Sequence, residues 1–454
     1  MAPPRPAGPA GLASANAPAL DLPARFMALG MAVFAALALL APWALPLLCG
    51  SFYDPRLLAF VHLNTLGVVA ALILGASYQL VPVVVETPLA SARLGRLSFW
   101  CLLGGIVAFL AGLDRLWLPA LATGGTLLAL AFGLYAGVIA ATLRRAPRLD
   151  VVAWHIAVAL VGAVGAVALG FTLALNKGTG LLGPLTLRLL AAHATLMLGG
   201  WVAPMLAGVA YRLVGMFTLA EDALWRPVAW LGLALTAGGA WAIALALATG
   251  AGRPVAAAGA LALLGGQALF AAQLAHLYRR RRRRGPDVHI PFALTAAGAG
   301  VLAAGTAAGG LLAGAAVGAP VWTVAGWLAI AGLAETAIQG FFYKIATFLV
   351  WLHRYAPLAG RQRVPKLEDL YSRRLALAGW ACWSAGVALA AVAAASGAAA
   401  LAAVAGLGVT AGLVCFLANV ARIGAHWRAA PARAPRPPRD ASAGKDFVRQ
   451  ESPR

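Results

Sequence analysis

The sequence predicts an all-α integral membrane protein whose twelve transmembrane helices form three four-helix units. Hydrophobic residues occupy 62% of the 454 positions and charged residues only 11%, whereas a soluble domain carries about 25% charged residues. The apolar residues gather into runs long enough to cross a bilayer as helices, and one segment occurs in three similar copies. Because lipid cannot satisfy exposed backbone groups, and because the runs lack the alternation of barrel strands, helices are the expected spanning structure.

Twelve apolar runs follow one another along the chain, and each predicts one spanning helix. Taken four at a time, they form predicted units at about residues 25–148, 149–285 and 286–425. The ends, 1–24 and 426–454, are rich in Pro with Ala, Arg or Ser, and we expect disordered cytoplasmic segments there. The N-terminal segment lacks the form of a cleavable signal, so the first helix is expected to remain as an anchor. The runs lie near residues 26–49, 57–85, 97–117, 119–142, 151–175, 187–217, 227–250, 254–278, 289–317, 319–351, 375–396 and 399–423.

The net charge of +21 lies mostly on one side of the predicted topology. Only Arg56, Arg115, Lys177, Arg188 and Arg253 fall on the other side. This is the positive-inside pattern, and we expect a protein of the bacterial inner membrane with both termini in the cytoplasm. The arginine run after the eighth predicted helix suits an anchor near anionic headgroups, so the basic charge predicts a lipid bilayer rather than nucleic acid as partner.

A segment on the second predicted helix occurs again on the sixth and the tenth. Its copies read HLNTLGVVAALILGASYQL at 62–80, TLMLGGWVAPMLAGVAYRL at 195–213 and WLAIAGLAETAIQGFFYKI at 327–345. All three carry Leu at the second position, Gly at the sixth and fourteenth, and Tyr at the seventeenth. Because each predicted unit has an even number of spans, the copies share one orientation, which predicts threefold pseudosymmetry about the membrane normal.

The shared glycines and tyrosines of the copies predict architecture rather than chemistry. Small residues four and eight positions apart line one helix face and let helix backbones approach closely, so the glycines predict helix packing. The tyrosine of each copy and the polar residue after it fall near the predicted cytoplasmic boundary. We expect ordinary aromatic anchoring and snorkelling of the cationic side chains there.

Two histidines lie at similar depth in the outer third of the predicted membrane. His62 and His193 stand on helices two and six, but they are two positions apart in the repeat frame, or about 200° around a helix. One ion can therefore bridge both rings only if the helices are rotated suitably. Imidazole is a common metal ligand and axial haem donor, and Met197, one turn below His193, is a candidate soft donor. A structural role in helix packing stays open for all three residues.

Glu335 is an acidic residue near the centre of the tenth predicted helix. A carboxylate at this depth is costly and by default marks a proton or ion path, so Glu335 is a candidate for such a path. Gln339, one turn on, is a candidate partner, and a purely structural role is the alternative. The four cysteines have no paired spacing and indicate neither a disulfide framework nor a thiolate metal site.

The twelve helices, the three units and the two histidines resemble subunit I of the haem-copper oxidase superfamily, over roughly residues 26–423. The most specific local piece is His193-Ala194-Thr195 followed by Gly200-Trp201. It resembles a His-x-His-x4-Gly-Trp pattern of some members, with Thr in place of the second histidine. The resemblance implies oxygen- or nitric-oxide-related membrane chemistry with haem and copper as cofactors.

By the resemblance, His62 corresponds to the helix-two ligand of the low-spin haem and His193 to the helix-six ligand of copper. The family's tenth helix supplies two further histidines, but Ala325 and Trp327 stand at the corresponding repeat positions. The adjacent histidine pair of the seventh helix is also absent from 227–250. The expected function is therefore haem b or copper binding for electron transfer, nitric-oxide response or oxidase-related metal handling, without full oxygen reduction.

Two other classes of function remain open at this point. The first is a proton, ion or solute transporter that uses Glu335. The second is a cofactor-free structural or assembly partner of a respiratory complex, held to other membrane subunits or a cytochrome through its glycine-rich faces. An enzymatic activity is not expected, because the metal-ligand set of a complete haem-copper centre is missing.

Overall fold

The computed structural model describes residues 19–283, 285, 287–314 and 318–428. Within these ranges it contains twelve helices that are long and apolar enough to cross a membrane, which confirms the predicted number of spans. The predicted disordered ends lie mostly outside the described residues. We label the spans α1 to α12: Asp21–Cys49, Pro55–Val84, Ala92–Arg115, Leu118–Arg144, Val151–Thr179, Gly183–Thr218, Arg226–Thr249, Arg253–Arg279, His289–Ala313, Pro320–Arg354, Arg373–Ser396 and Ala399–Arg428.

Local sequence signals set the ends of many helices. Several N-termini are capped by a side chain that accepts a hydrogen bond from a backbone N–H of the first turn, which satisfies a group that the helix itself leaves free. These caps are Asp54, Ser91, Asp150 and Ser372. Three helices end at a glycine in the left-handed conformation that other residues adopt reluctantly. These are Gly180, Gly250 and Gly397.

The helices pack in an order that follows the chain. The most extensive pairs are the third and fourth helices of each predicted unit, namely α3 with α4, α7 with α8 and α11 with α12. Neighbouring units meet through α4 and α5, α8 and α9, and α12 and α1, so the last helix closes against the first. The central part of α10 contacts the central parts of both α2 and α6. The three helices that carry the repeated segment therefore meet inside the bundle.

Each repeated segment contains a π-helical stretch that begins at its second residue. The stretches are Leu63–Ala70 in α2, Leu196–Val202 in α6 and Leu328–Glu335 in α10. π-Helical turns are rare and occur most often near functional sites, where the wider turn changes the direction of the side chains. The repeat is thus visible in backbone conformation as well as in residue identity.

The shared glycines lie at close helix contacts, which confirms the packing prediction. A Cβ atom added to Gly75 would lie 2.6 Å from the Cβ of Phe26 in α1, and one added to Gly340 would lie 2.4 Å from the Cβ of Phe292 in α9. The corresponding contact in the second copy joins Gly208 and His155. These distances are too short for real side-chain carbons, so the glycines permit the observed approach of the helices.

The shared tyrosines are buried, so the predicted aromatic anchoring at the membrane boundary is wrong. Tyr78, Tyr211 and Tyr343 each pack between an aromatic ring of the first helix and one of the fourth helix of their unit. Side chains of this kind are held by helix packing rather than by the membrane interface. The three ring sets are Phe26–Tyr78–Tyr135, His155–Tyr211–Phe270 and Phe292–Tyr343–Phe416, with centroid separations between 5.4 and 6.0 Å.

Lys344 does not snorkel to the surface as its position predicted. Its side chain is buried and its ammonium group donates a hydrogen bond to the carboxylate of Asp287, which is also buried. The hydroxyl of Tyr371 donates to the same carboxylate at 3.3 Å, and the Arg283 guanidinium lies 3.7 Å from it. This ionic cluster ties the segment before α9 to α10 because a buried charge must be paired.

Candidate functional site

The structure brings His62 and His193 together. The centroids of their rings are 6.4 Å apart and the ring planes differ by only 14°. The rotation of α2 and α6 thus places the two rings near each other, and a shared ion stays a prediction.

Hydrogen bonds to backbone carbonyls define which ring nitrogen of each histidine is free. The Nδ1 atom of His62 lies 2.7 Å from the carbonyl oxygen of Leu58, and that of His193 lies 2.7 Å from the carbonyl oxygen of Ala166. A carbonyl only accepts, so in both neutral rings Nδ1 carries the proton. Each Nε2 therefore keeps an unshared electron pair, the form in which imidazole binds a metal.

The hydrogen bond from His193 to the carbonyl oxygen of Ala166 joins α6 to α5 and holds the His193 ring against α5. Gly170 makes this position accessible, because a Cβ atom added there would lie 2.7 Å from Cε1 of His193. The His62 ring is supported by Phe109 of α3, whose ring centroid is 5.1 Å away. Packing and hydrogen bonding thus restrict the orientation of both rings, as is usual for metal-binding histidines.

Both rings line one cavity of about 660 Å³, and every helix from α2 to α10 contributes residues to its wall. Its volume falls within the range of cofactor and ligand pockets, about 300–1,000 Å³. Aliphatic and aromatic side chains form most of its wall. Met197 also lines the cavity and is partly buried, so its predicted role as a soft donor stays a prediction.

Two cationic side chains line the same cavity near the loops that follow α1 and α5. The ammonium group of Lys177 lies 3.8 Å from the ring centroid of Tyr53, and Nε of Arg188 donates to the carbonyl oxygen of Leu247 at 2.8 Å. Neither residue was predicted to belong to the site. The sequence did distinguish them, because Lys177 and Arg188 are among the five cations on the less basic side of the predicted topology.

The described residues contain no group of three or more His, Cys, Asp and Glu side chains arranged to hold a metal ion. The two imidazoles are therefore a pair, with Met197 as the only additional donor that the sequence proposed.

Glu335 lies apart from the histidine pair, at the last residue of the π-helical stretch of α10. Its side chain is fully buried, and neither carboxylate oxygen has a hydrogen-bond partner among the described residues. The predicted partnership with Gln339 is wrong, since the amide atoms of Gln339 are equally unpartnered. Ala70 and Ala203 occupy the equivalent places in the other two copies, so the carboxyl group is specific to the third.

The sequence matches no protein-family model, and no curated protein is significantly similar to it.

Proposed function

We propose that this protein is a divergent relative of subunit I of the haem-copper oxidases that binds a b-type haem or a copper ion. The observation that carries the proposal is the pairing of two partly buried imidazoles on one largely apolar cavity. Its functions would be electron transfer, nitric-oxide response or oxidase-related metal handling. Full oxygen reduction is not part of the proposal, because residues such as Ala325 and Trp327 replace the further histidine ligands that the family uses.

The proposed kinship includes a threefold arrangement of the three units. Several features support it: the π-helical stretches begin at the same repeat position, and the tyrosine-centred ring sets involve the same three helices of each unit. The contacts between units also recur in the same order, with α12 against α1 as the third instance. A shared ancestral four-helix unit would account for all of these features together.

The distribution of charge supports an orientation with both termini in the cytoplasm of a bacterial cell. The histidine pair would then lie beneath the outer face of the inner membrane. A cofactor at that depth would be accessible to electron donors or metal carriers outside the cytoplasm. The arginine-rich turn after α8 would lie among anionic headgroups on the opposite side.

The residues present fit a haem. The walls of the cavity are apolar as a porphyrin ring requires, both histidines offer an unprotonated nitrogen, and the cations Lys177 and Arg188 lie where they could pair with carboxylate groups of a bound macrocycle. When bound, the haem supplies a one-electron redox centre. The protein residues would hold it, exclude water and set its orientation.

The test is to purify the full chain in detergent and to record its oxidised and reduced absorption spectra with metal analysis. We expect a haem Soret band or stoichiometric copper, and the signal should disappear in the His62→Ala/His193→Ala double variant. His155→Ala is the matched control, because this histidine is buried but lies outside the cavity lining. A protein that is folded yet contains neither haem nor copper would refute the proposal.

A transporter is the second candidate because Glu335 is buried without a partner. An unpaired carboxyl group in a membrane bundle is commonly part of an ion or proton path. In proteoliposomes, a proton flux that is lost in Glu335→Gln would support this function. A flux that is absent, or unchanged by the substitution, would remove Glu335 as its central residue.

A further inference from the structure

We propose that His62 and His193 bind the same haem iron from opposite sides and so form an axial pair between α2 and α6. This inference rests on the proposed function, and it specifies how the site is built. It differs from the assignment implied by the resemblance, in which His62 binds a haem and His193 binds copper. It also assigns the second axial ligand to α6 instead of α10.

The separation of the rings matches this arrangement. A bond from a metal to an imidazole nitrogen is about 2.0 Å long, and the ring centroid lies about 1.1 Å further on, so two rings on opposite sides of one metal have centroids about 6.2 Å apart. The observed separation is 6.4 Å. Two imidazoles at a tetrahedral angle on one ion would have centroids only about 5 Å apart by the same bond lengths. The observed distance is therefore the one expected for an opposed pair in which both Nε2 atoms point at the iron.

The protonation of the rings fits the same arrangement. Nδ1 of each ring is occupied by a backbone carbonyl, and Nε2 has no hydrogen-bond partner among the described residues. Both rings are partly exposed on the cavity, and one metal between them would bind both nitrogens at once. The near-parallel planes, 14° apart, place the rings in one of the two simple relative orientations open to a pair on a common axis.

The size of the cavity distinguishes haem from a bare ion. A single copper ion between two nitrogens occupies little space, whereas the cavity around these rings measures about 660 Å³ and continues toward α8 and α10. A planar macrocycle between α2 and α6 would use this volume. The cations Lys177 and Arg188 stand at the end of the cavity nearest the loops, where the carboxylates of a haem could approach water.

An axial pair has a functional consequence. Iron that is held by two imidazoles and four porphyrin nitrogens has no open coordination position. Such a haem transfers electrons but does not bind oxygen, carbon monoxide or nitric oxide unless a histidine dissociates. The proposed role of the site is therefore electron transfer and excludes gas binding at the resting iron.

The experiment is spectroscopy of the full chain purified in detergent, with electron paramagnetic resonance of the oxidised form and carbon monoxide titration of the reduced form. We expect a low-spin ferric signal and no carbon monoxide adduct. His62→Ala and His193→Ala should each give high-spin haem that binds carbon monoxide, and added imidazole should restore the low-spin form. His155→Ala should leave the spectrum of the wild type unchanged.

A second variant tests the support of the ring without removing a ligand. In Gly170→Ala the new methyl group would displace the His193 ring, and we expect haem retention to fall by about tenfold or more, the size of effect typical of residues that orient a ligand. Gly137→Ala, on the lipid-facing side of α4 with no atom near the added Cβ, is the control.

The outcomes separate this inference from the proposed function. High-spin haem in the wild type, a low-spin signal that survives either single substitution, or copper without haem would each overturn the axial pair while metal binding stands. Neither haem nor copper in the folded protein would overturn both. A low-spin signal that is lost in each single variant and restored by imidazole would establish the pair.

Discussion

The two ends of the repeated helices α2, α6 and α10 differ in how far the three copies resemble one another. At one end, which we call the packed end, each copy places a glycine against the first helix of its unit and a tyrosine between two rings. At the other end, the cavity end, the copies diverge. His62 and His193 face each other there, whereas the third copy begins with Trp327, whose indole donates to the carbonyl oxygen of Val387.

This contrast separates scaffold from site. Where three copies keep the same residues and contacts, the shared requirement is close packing of helices. Where they differ around a cavity, packing does not explain the difference, because the side chains leave space unfilled. His155 shows that a histidine can serve in packing. At the packed end it contacts the tyrosine of its unit as Phe26 and Phe292 do in the other two units. A histidine at the cavity end is therefore a stronger candidate ligand than one at the packed end.

The largest expected effect at the packed end comes from Asp287→Ala. This change leaves the ammonium group of Lys344 buried without its counter-ion, which should lower the free energy of unfolding by about 3–5 kcal/mol. Thermal unfolding in detergent measures the loss. The double variant Asp287→Ala/Lys344→Met is the control and should recover most of the stability, because the charge is removed with its partner. If the single and double variants are equally stable, the buried pair does not hold this end together.

A smaller loss is expected for Gly340→Ala. The added methyl group would lie 2.4 Å from the Cβ of Phe292, and such overpacking costs about 1–3 kcal/mol. Gly298→Ala, in α9 with no atom near the added Cβ, should change stability little or raise it slightly. Unfolding measured by circular dichroism on both variants compares the two sites. Equal unfolding midpoints for the two variants would show that α9 and α10 can separate at the contact between Gly340 and Phe292 without loss of stability.

The smallest effect is expected for His155→Phe. The change introduces phenylalanine, which the other two units carry at the corresponding place. The free energy of unfolding should therefore change by less than about 1.5 kcal/mol. Any cofactor spectrum should be unaltered. The same substitution at the cavity end, His62→Phe, should abolish the low-spin haem signal. A spectrum altered by His155→Phe would contradict the division into a packed end and a cavity end.

Much of the fold could be predicted because the membrane imposes strong rules on sequence. Runs of apolar residues predicted the twelve spans, and the structure contains twelve helices of the required length and composition. The glycine pattern predicted close packing, which the structure confirms. The shared tyrosines and Lys344 were predicted at the membrane boundary but are buried in the bundle. The sequence indicates the depth of a residue in the membrane but not whether its side chain faces lipid or a neighbouring helix.

For the site, the sequence alone determined the residue types, their helices and their approximate depth: two imidazoles in α2 and α6 and one carboxyl group in α10. Only the tertiary structure decided that the two rings lie 6.4 Å apart on one cavity, that Gly170 and the Ala166 carbonyl position His193, and that Glu335 has no partner in Gln339. The physical reason is that helix periodicity relates residues within one helix, whereas the rotation of each helix against its neighbours results from the packing of all their side chains together.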